Sequence, residues 1–328
     1  MRSLIVILTA LVIAAARAQA DGDAGYAGAF MRSGAGARPL GMGGAFTAVA
    51  EGPEATYYNP AGLGFDLKLG ASFSYKTLSL DRHLGHVAVA FPIRNEAAMA
   101  ASWVNAGVSD VVGRGSSRQT SGEISNNQNA FTLSFAKALR SSVSFGGSLR
   151  YLQEKLDRLD VFTIGVDLGF MTKLENLASF GMTVQNLGSS YRWDSSNYWS
   201  GGRAYDEKFP VVIKIGAAGS LLHKALIPAV DLETSDKMGL RIRAGAEYWF
   251  LRKAVKYVED EYEEGKMNEV VYNVRWAGLR MGLDRGSPTF GGTLQFNKKD
   301  LSAAIEYAFL VGRFGTAAGH IFTLRLGF

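Results

Sequence analysis

Few residues in this chain have the types and spacing for chemistry. Gly41-Met42-Gly43-Gly44-Ala45 is the first candidate, since a glycine-rich turn can cradle a phosphate. Such a loop works only where it follows a buried strand and opens a helix within a βαβ unit, so that backbone N–H groups converge on the anion. Here Ser33 to Arg38, just before it, are small and polar, and no second parallel strand follows. The spacing excludes a nucleotide site. His83, His86, His223 and His320 are the only histidines, and there is no cysteine. His83 and His86 lie three apart at a strand start, where extended chain points them to opposite faces. His223 falls in a turn and His320 opens the last strand. Neither belongs to an evident acid or serine constellation. These patterns predict a protein with no catalytic residue, no metal ligand set and no cofactor, and they nominate no ligand-binding residue.

The elements that carry these residues begin with a targeting segment. Arg2 precedes a continuous apolar run from Leu4 to Ala16, and Ala18-Gln19-Ala20 gives a small-x-small cleavage pattern. Residues 1–20 are expected to be a signal peptide. The following residue is Asp21, not a lipid-anchoring cysteine. Without cysteine, disulfides and thiolate metal sites are excluded. The formal charge of +5 is small and scattered, with Arg2 and Arg17 in the leader, so no nucleic-acid partner is expected.

Beyond the leader no run approaches the ~20 apolar residues of a spanning helix. The dominant pattern is alternation. Leu67, Leu69, Ala71, Phe73 and Tyr75 alternate with Lys68, Gly70, Ser72, Ser74 and Lys76. Phe162, Ile164, Val166, Leu168 and Phe170 repeat the pattern, as do Leu240 to Phe250 and Phe322 to Phe328. Many such runs reach about ten residues, the length a tilted strand needs to cross a membrane and longer than the five or six of a soluble sandwich. Fourteen are expected, near 67–79, 84–92, 96–105, 128–138, 141–153, 159–173, 177–188, 209–220, 225–233, 239–251, 273–284, 288–297, 300–309 and 319–328. The fold class is therefore all-β, a fourteen-stranded antiparallel transmembrane barrel spanning 67–328.

Loop lengths support that count. If the first strand runs outward, the links after even strands face the periplasm and are short, at Arg94–Asn95, Arg140, 174–176, 221–224 and 298–299. The long links 106–127 and 189–208 fall on the outer side. Trp249 and Trp276 are expected in a periplasmic aromatic girdle, and Trp103 near the outer one. The final strand, with Phe322, Leu324, Leu326 and a terminal Phe328, has the pattern by which outer-membrane barrels are inserted by their assembly machinery.

Residues 21–66 precede the first strand and form a compact segment for the lumen. Within it Ala45 to Ala50 is expected to be a short helix ended at Gly52-Pro53, and Asn59-Pro60 an N-cap followed by proline in the first turn. "GARPLGMGGAFTAVAEGPEATYYNPAGL" here resembles the N-terminal signature of the PorV/PorQ family of outer-membrane proteins, relatives of the FadL fatty-acid transporters. "RAGAEYW" (Arg243 to Trp249) and "AAIEYAF" (Ala303 to Phe309) resemble that family's final hairpins. The resemblance implies a fourteen-stranded barrel with an N-terminal plug. It places Gly41, Gly43, Gly44, Asn59, Pro60 and Ala61 in the plug motif.

The same resemblance implies two functions. FadL-like members carry hydrophobic molecules across the outer membrane; PorV-like members receive exported cargo for the type IX secretion machinery. The polar phase of the strands places Lys68, Lys76, Arg150, Asp167, Lys214, Asp231, Arg241, Arg243, Glu247, Arg280, Glu306 and Arg325 towards the lumen, a mixture that favours a salt-bridged, plugged interior. The outer link 189–208 carries Tyr191, Trp193, Tyr198, Trp199 and Tyr205, a surface suited to a protein, glycan or lipid chain. Link 252–272 breaks the parity and is expected to protrude as a periplasmic hairpin turning near Glu264-Gly265. The leading expectation is handling of hydrophobic small molecules, with secretion of exported proteins the alternative. Outer-membrane lipid is the other expected partner.

Overall fold

The computed structural model describes residues 25–328 except 94–95, 109–111, 115–119, 176, 197, 260–266, 299–300 and 313–316. The signal-peptide expectation and the Glu264-Gly265 turn lie outside these residues. The strands are β1 (Gly70–Leu78), β2 (Arg82–Ile93), β3 (Ala97–Val108), β4 (Val112–Arg114), β5 (Thr120–Glu123) and β6 (Asn126–Arg140). They continue with β7 (Val143–Leu156), β8 (Leu159–Leu174), β9 (Ala178–Leu187), β10 (Ser190–Asp194), β11 (Ala204–Lys208) and β12 (Val212–Gly219). The last six are β13 (Leu226–Ser235), β14 (Arg241–Glu259), β15 (Met267–Asp284), β16 (Ser287–Lys298), β17 (Leu301–Leu310) and β18 (Gly319–Gly327).

Fourteen of these close an antiparallel barrel in which β18 pairs with β1, Gly70 opposite Gly327. Closure leaves no free sheet edge, the condition for a sheet to lie in lipid. The other four form two small hairpins, β4–β5 and β10–β11, inside the long outer links. The alternation resolves into two faces. Phe73, Leu133, Phe135, Leu168, Ile215, Leu279, Phe290 and Phe322 point outward and are exposed. Ser72, Ser74, Thr132, Ser148, Thr183 and Thr293 point inward and are buried.

The aromatic girdles follow this outward phase. Trp103, Phe131, Tyr151 and Phe162 form a row across β3, β6, β7 and β8, with successive ring centroids 6.0, 6.4 and 5.8 Å apart. At the opposite rim Tyr248, Phe250 and Trp276 sit 5.1 and 6.1 Å apart. Trp249 departs from expectation. It shares the inward phase of Arg243 and Glu247, and it is buried in the lumen at 1% exposure. Its ring lies under the Arg275 and Arg280 guanidiniums at 5.0 and 5.2 Å. Strands β14 and β15 run on past a bulge at Phe250/Leu251 and pair as far as Glu259↔Met267, so the link 252–272 is an extended hairpin.

Candidate functional site

The lumen is filled by the chain's own N-terminal segment. Ala37–Gly41 and Ala55–Tyr58 are short α-helices, and Ala29–Arg32 and Pro60–Phe65 are 3-10 turns. Residues 45–50 are not helical, contrary to expectation. The cause is a competing acceptor: Asp231 Oδ2 on β13 takes the N–H groups of Phe46 and Thr47, each at 2.9 Å, and the Thr47 hydroxyl at 2.7 Å. Asn59 caps as the sequence predicts, its Oδ1 accepting the Ala61 N–H at 3.1 Å. Its amide also donates to the carbonyls of Thr47 and Phe170, tying segment and wall together.

Glycines make that closeness geometrically feasible. Gly146, Gly169, Gly181, Gly216, Gly245, Gly282 and Gly291 face inward from β7, β8, β9, β12, β14, β15 and β16. Within the sheet Gly146 pairs with Gly169, Gly181 with Gly216, and Gly245 with Gly282. On β13, the strand between β12 and β14, Asp231 sits opposite Gly216. A Cβ at Gly282 would run into the backbone of Met42 and Gly43; one at Gly245 would meet Met42, and one at Gly146 would meet Pro60 and Ala61. The plug-motif residues are the other half of this seam. Gly41 lies against Gly291, with its Cα 3.2 Å from where a Gly41 Cβ would sit, and Thr289 donates to the Gly41 carbonyl at 3.2 Å. Gly43 and Gly44 have φ of +67° and +79°, a backbone that side chains disfavour. Pro60 packs on Gly169, and the Ala61 carbonyl accepts the Ser144 hydroxyl at 2.8 Å. Phe322 and Leu324 face outward on β18, and Phe328 donates its N–H to the Leu69 carbonyl at 2.8 Å, beside the barrel's closure.

Charge is concentrated on β12–β18. Arg38 of the luminal segment makes a two-pronged pair with Glu247, Nε–Oε2 2.8 Å and Nη2–Oε1 2.9 Å. Glu247 also accepts from Arg280 and from the Trp249 indole. Burial works against the Arg38 charge, but Glu247 and Glu51 outweigh it and raise its pKa above that of a free guanidinium. Burial likewise opposes the Glu51 charge, yet Arg38 prevails and holds that carboxyl at about 2. Nearer the outer mouth Glu233 pairs with Arg243, with Lys214 at 3.5 Å and with Arg241 at 3.6 Å. Arg150 pairs with Asp167 at 2.5 Å across β7 and β8. Of the polar-phase residues expected inside, Lys68 is the exception: it precedes β1 and is exposed.

Opposite the Glu233 cluster, the outer part of the lumen is lined by apolar residues on β2, β3, β7 and β8. Ala27, Phe30, Leu84, Val104, Leu152 and Val161 are buried together there with Tyr191 and Phe209. Tyr191 was expected on an exposed loop. Instead the β10–β11 hairpin turns it inward, fully buried, with its ring 4.8 Å from Phe209. Tyr198, Trp199 and Tyr205 of the same link do remain exposed. His83 and His86 face opposite ways as the spacing requires. His83 stacks on Tyr75 at 6.3 Å, whereas His86 is buried 5.9 Å from Tyr57, with no hydrogen-bond partner for either ring nitrogen among the described residues. Spaces among the described luminal residues include one of about 40 Å³ between Tyr57, Tyr58, Arg150 and Glu233 and one of about 240 Å³ at the inner mouth, the end where β1 begins. Among the described residues no group of three or more histidines and carboxylates is arranged to hold a metal ion.

No protein-family model matches the sequence, and no curated protein matches it. Solved structures do match in fold. A FadL homologue of Pseudomonas aeruginosa superposes with a TM-score of 0.57 at 10% identity, covering 89% of this chain and 97% of that one. The Pseudomonas putida toluene transporter TodX gives 0.52 at 14% identity, covering 88% and 96%. The Ralstonia pickettii toluene transporter TbuX gives 0.53 at 12%, covering 89% and 97%. The fold is that of the FadL-like barrels. The PorV/PorQ affiliation drawn from the N-terminal motif finds no counterpart among these matches.

Proposed function

We propose that this protein is an outer-membrane channel that moves small hydrophobic molecules through a lumen closed by its own N-terminal segment. The observation that carries this reading is the apolar compartment at the outer mouth, where Phe30, Leu152, Tyr191 and Phe209 meet inside a barrel whose lumen its own N-terminal segment occupies. An aqueous porin keeps a polar, water-filled lumen. Here an apolar solute can exchange apolar contacts with the lining as it enters, whereas a hydrophilic one would shed water without replacement. The fold shared with toluene transporters supports the same class of cargo. Residues 1–20 direct export, and the outward apolar face of the last strand, with Phe322 and Leu324, is the feature read by the assembly machinery.

The alternative, a secretion subunit receiving exported proteins, differs in what stays bound. Native mass spectrometry of the barrel isolated from its own membrane separates the two. A retained apolar small molecule with no stoichiometric protein is expected. Stoichiometric secretion components or cargo on an otherwise empty barrel would replace this reading with the alternative.

A further inference from the structure

On its lipid-facing side the barrel carries a hollow of about 480 Å³ across β12 to β16. Its floor is made of small outward-phase residues. Ala217, Val230 and Ala244 are register partners on β12, β13 and β14, and Pro228 and Ala246 form the next row towards the periplasm. The rows on either side are larger: Ile215, Leu232 and Ile242 towards the cell exterior, Leu226, Tyr248 and Leu279 towards the periplasm. Leu283 and Phe290 close the β15–β16 end. Gly245 and Gly282 line the hollow too, backed on the luminal side by Met42 and Gly43, so an occupant lies outside the wall and apart from the luminal path.

We propose that this hollow holds one acyl chain of an anionic phospholipid from the periplasmic leaflet. Its setting makes hydrocarbon the neighbour, because closed transmembrane strands meet lipid on this face. At roughly 30 Å³ per methylene-sized group the space takes about sixteen chain atoms, one ordinary acyl chain. A second copy of the barrel related by a two-fold axis would lay hollow against hollow and double the void, whereas a single flexible chain fills it. Charge selects the leaflet. The hollow ends at Gly219 and Pro228 above the 220–225 turn, where His223 and Lys224 are exposed and no carboxylate lies between Ser220 and Pro228. At the opposite end Arg285 is already paired with Asp284 at 3.3 Å. The headgroup phosphate therefore sits beside Lys224, with its chain rising into the hollow.

Native mass spectrometry of the barrel in mild detergent, titrated with dipalmitoyl phosphatidylglycerol, tests the site. One phospholipid per barrel is expected to survive detergent exchange. Ala246→Phe puts a ring into the hollow, removes on the order of ten chain contacts and is expected to weaken retention about tenfold. Lys224→Gln removes one basic group at the headgroup and is expected to weaken it about fivefold. Val89→Phe, at an exposed outward position on β2, seven strands round the barrel from β13, should retain lipid as the wild type does. Heat-dependent gel mobility verifies that each variant is a folded barrel. Equal retention by the wild type and folded Ala246→Phe overturns the site, and so does a dimer of barrels that Ala246→Phe disperses. Preferential retention of added lipid A over phosphatidylglycerol, unaffected by Lys224→Gln, overturns the assignment to the periplasmic leaflet.

Discussion

Arg38 and Glu247 meet through two hydrogen bonds of 2.8 and 2.9 Å, although 209 residues separate them, and neither side chain is more than 4% exposed. This pair joins the luminal segment to the wall. A buried pair of this kind adds little stability relative to an apolar replacement, because both ions were desolvated to form it. Removing one partner is another matter, since the other charge stays buried. Glu247→Ala leaves Arg38 and Arg280 facing each other and is expected to cost on the order of 3–5 kcal/mol, whereas the paired change Arg38→Met with Glu247→Leu costs much less. Urea unfolding in detergent gives both values, and comparable losses in the two variants would contradict the assignment.

The inward glycines give a sharper contrast. Gly282→Ala puts a methyl into the backbone of Met42 and Gly43, while a Cβ at Gly85, in the outward phase of β2, meets nothing within 4 Å. Gly282→Ala is therefore expected to dislodge residues 41–44 and raise ion conductance in planar bilayers. Gly85→Ala should match the wild type. Equal conductance in all three would mean that the segment does not depend on this contact.

Asp231 replaces a helix's own hydrogen bonds for residues 45–50. Asp231→Ala strands the Phe46 and Thr47 amides, each worth roughly 1–3 kcal/mol when buried without a partner. Hydrogen exchange is expected to accelerate at those two amides first. Unchanged protection there would show that another acceptor takes over.

Acid should loosen the segment within a defined window. Arg38 holds Glu51 at about 2, below its ordinary 4.5. A carboxyl lowered in this way contributes its full stabilisation above about pH 4.5 and loses it as pH falls towards about 2. Protease protection of residues 25–66 is expected to be flat from pH 7 to 5 and to decline below that. Glu51→Gln should lower the plateau and flatten the decline.

The barrel was readable because alternation, strand length and loop parity are local properties that lipid and closure impose on every strand. All fourteen expected runs correspond to barrel strands, with ends that shift by a few residues except where β14 and β15 extend into the hairpin. The luminal segment was less legible. Asn59-Pro60-Ala61 could be read as a cap because its hydrogen bond is local. The path of Ala45–Ala50 could not, since its conformation is set by Asp231, 185 residues from Phe46. Trp249 was misplaced although its phase with Arg243 and Glu247 pointed inward; a general preference of tryptophan for interfaces outweighed the alternation there. Tyr191 carried no signal in the sequence, because burial of one aromatic in an aromatic-rich loop is decided by how the β10–β11 hairpin folds over the lumen.

The central claim is passage of hydrophobic molecules, and it is tested most directly by uptake of labelled toluene into a host lacking its own hydrocarbon channels. Expression of the folded barrel is expected to accelerate toluene uptake while leaving a hydrophilic solute of similar size at the background rate. Toluene uptake at background, with the barrel folded and in the outer membrane, would contradict the account.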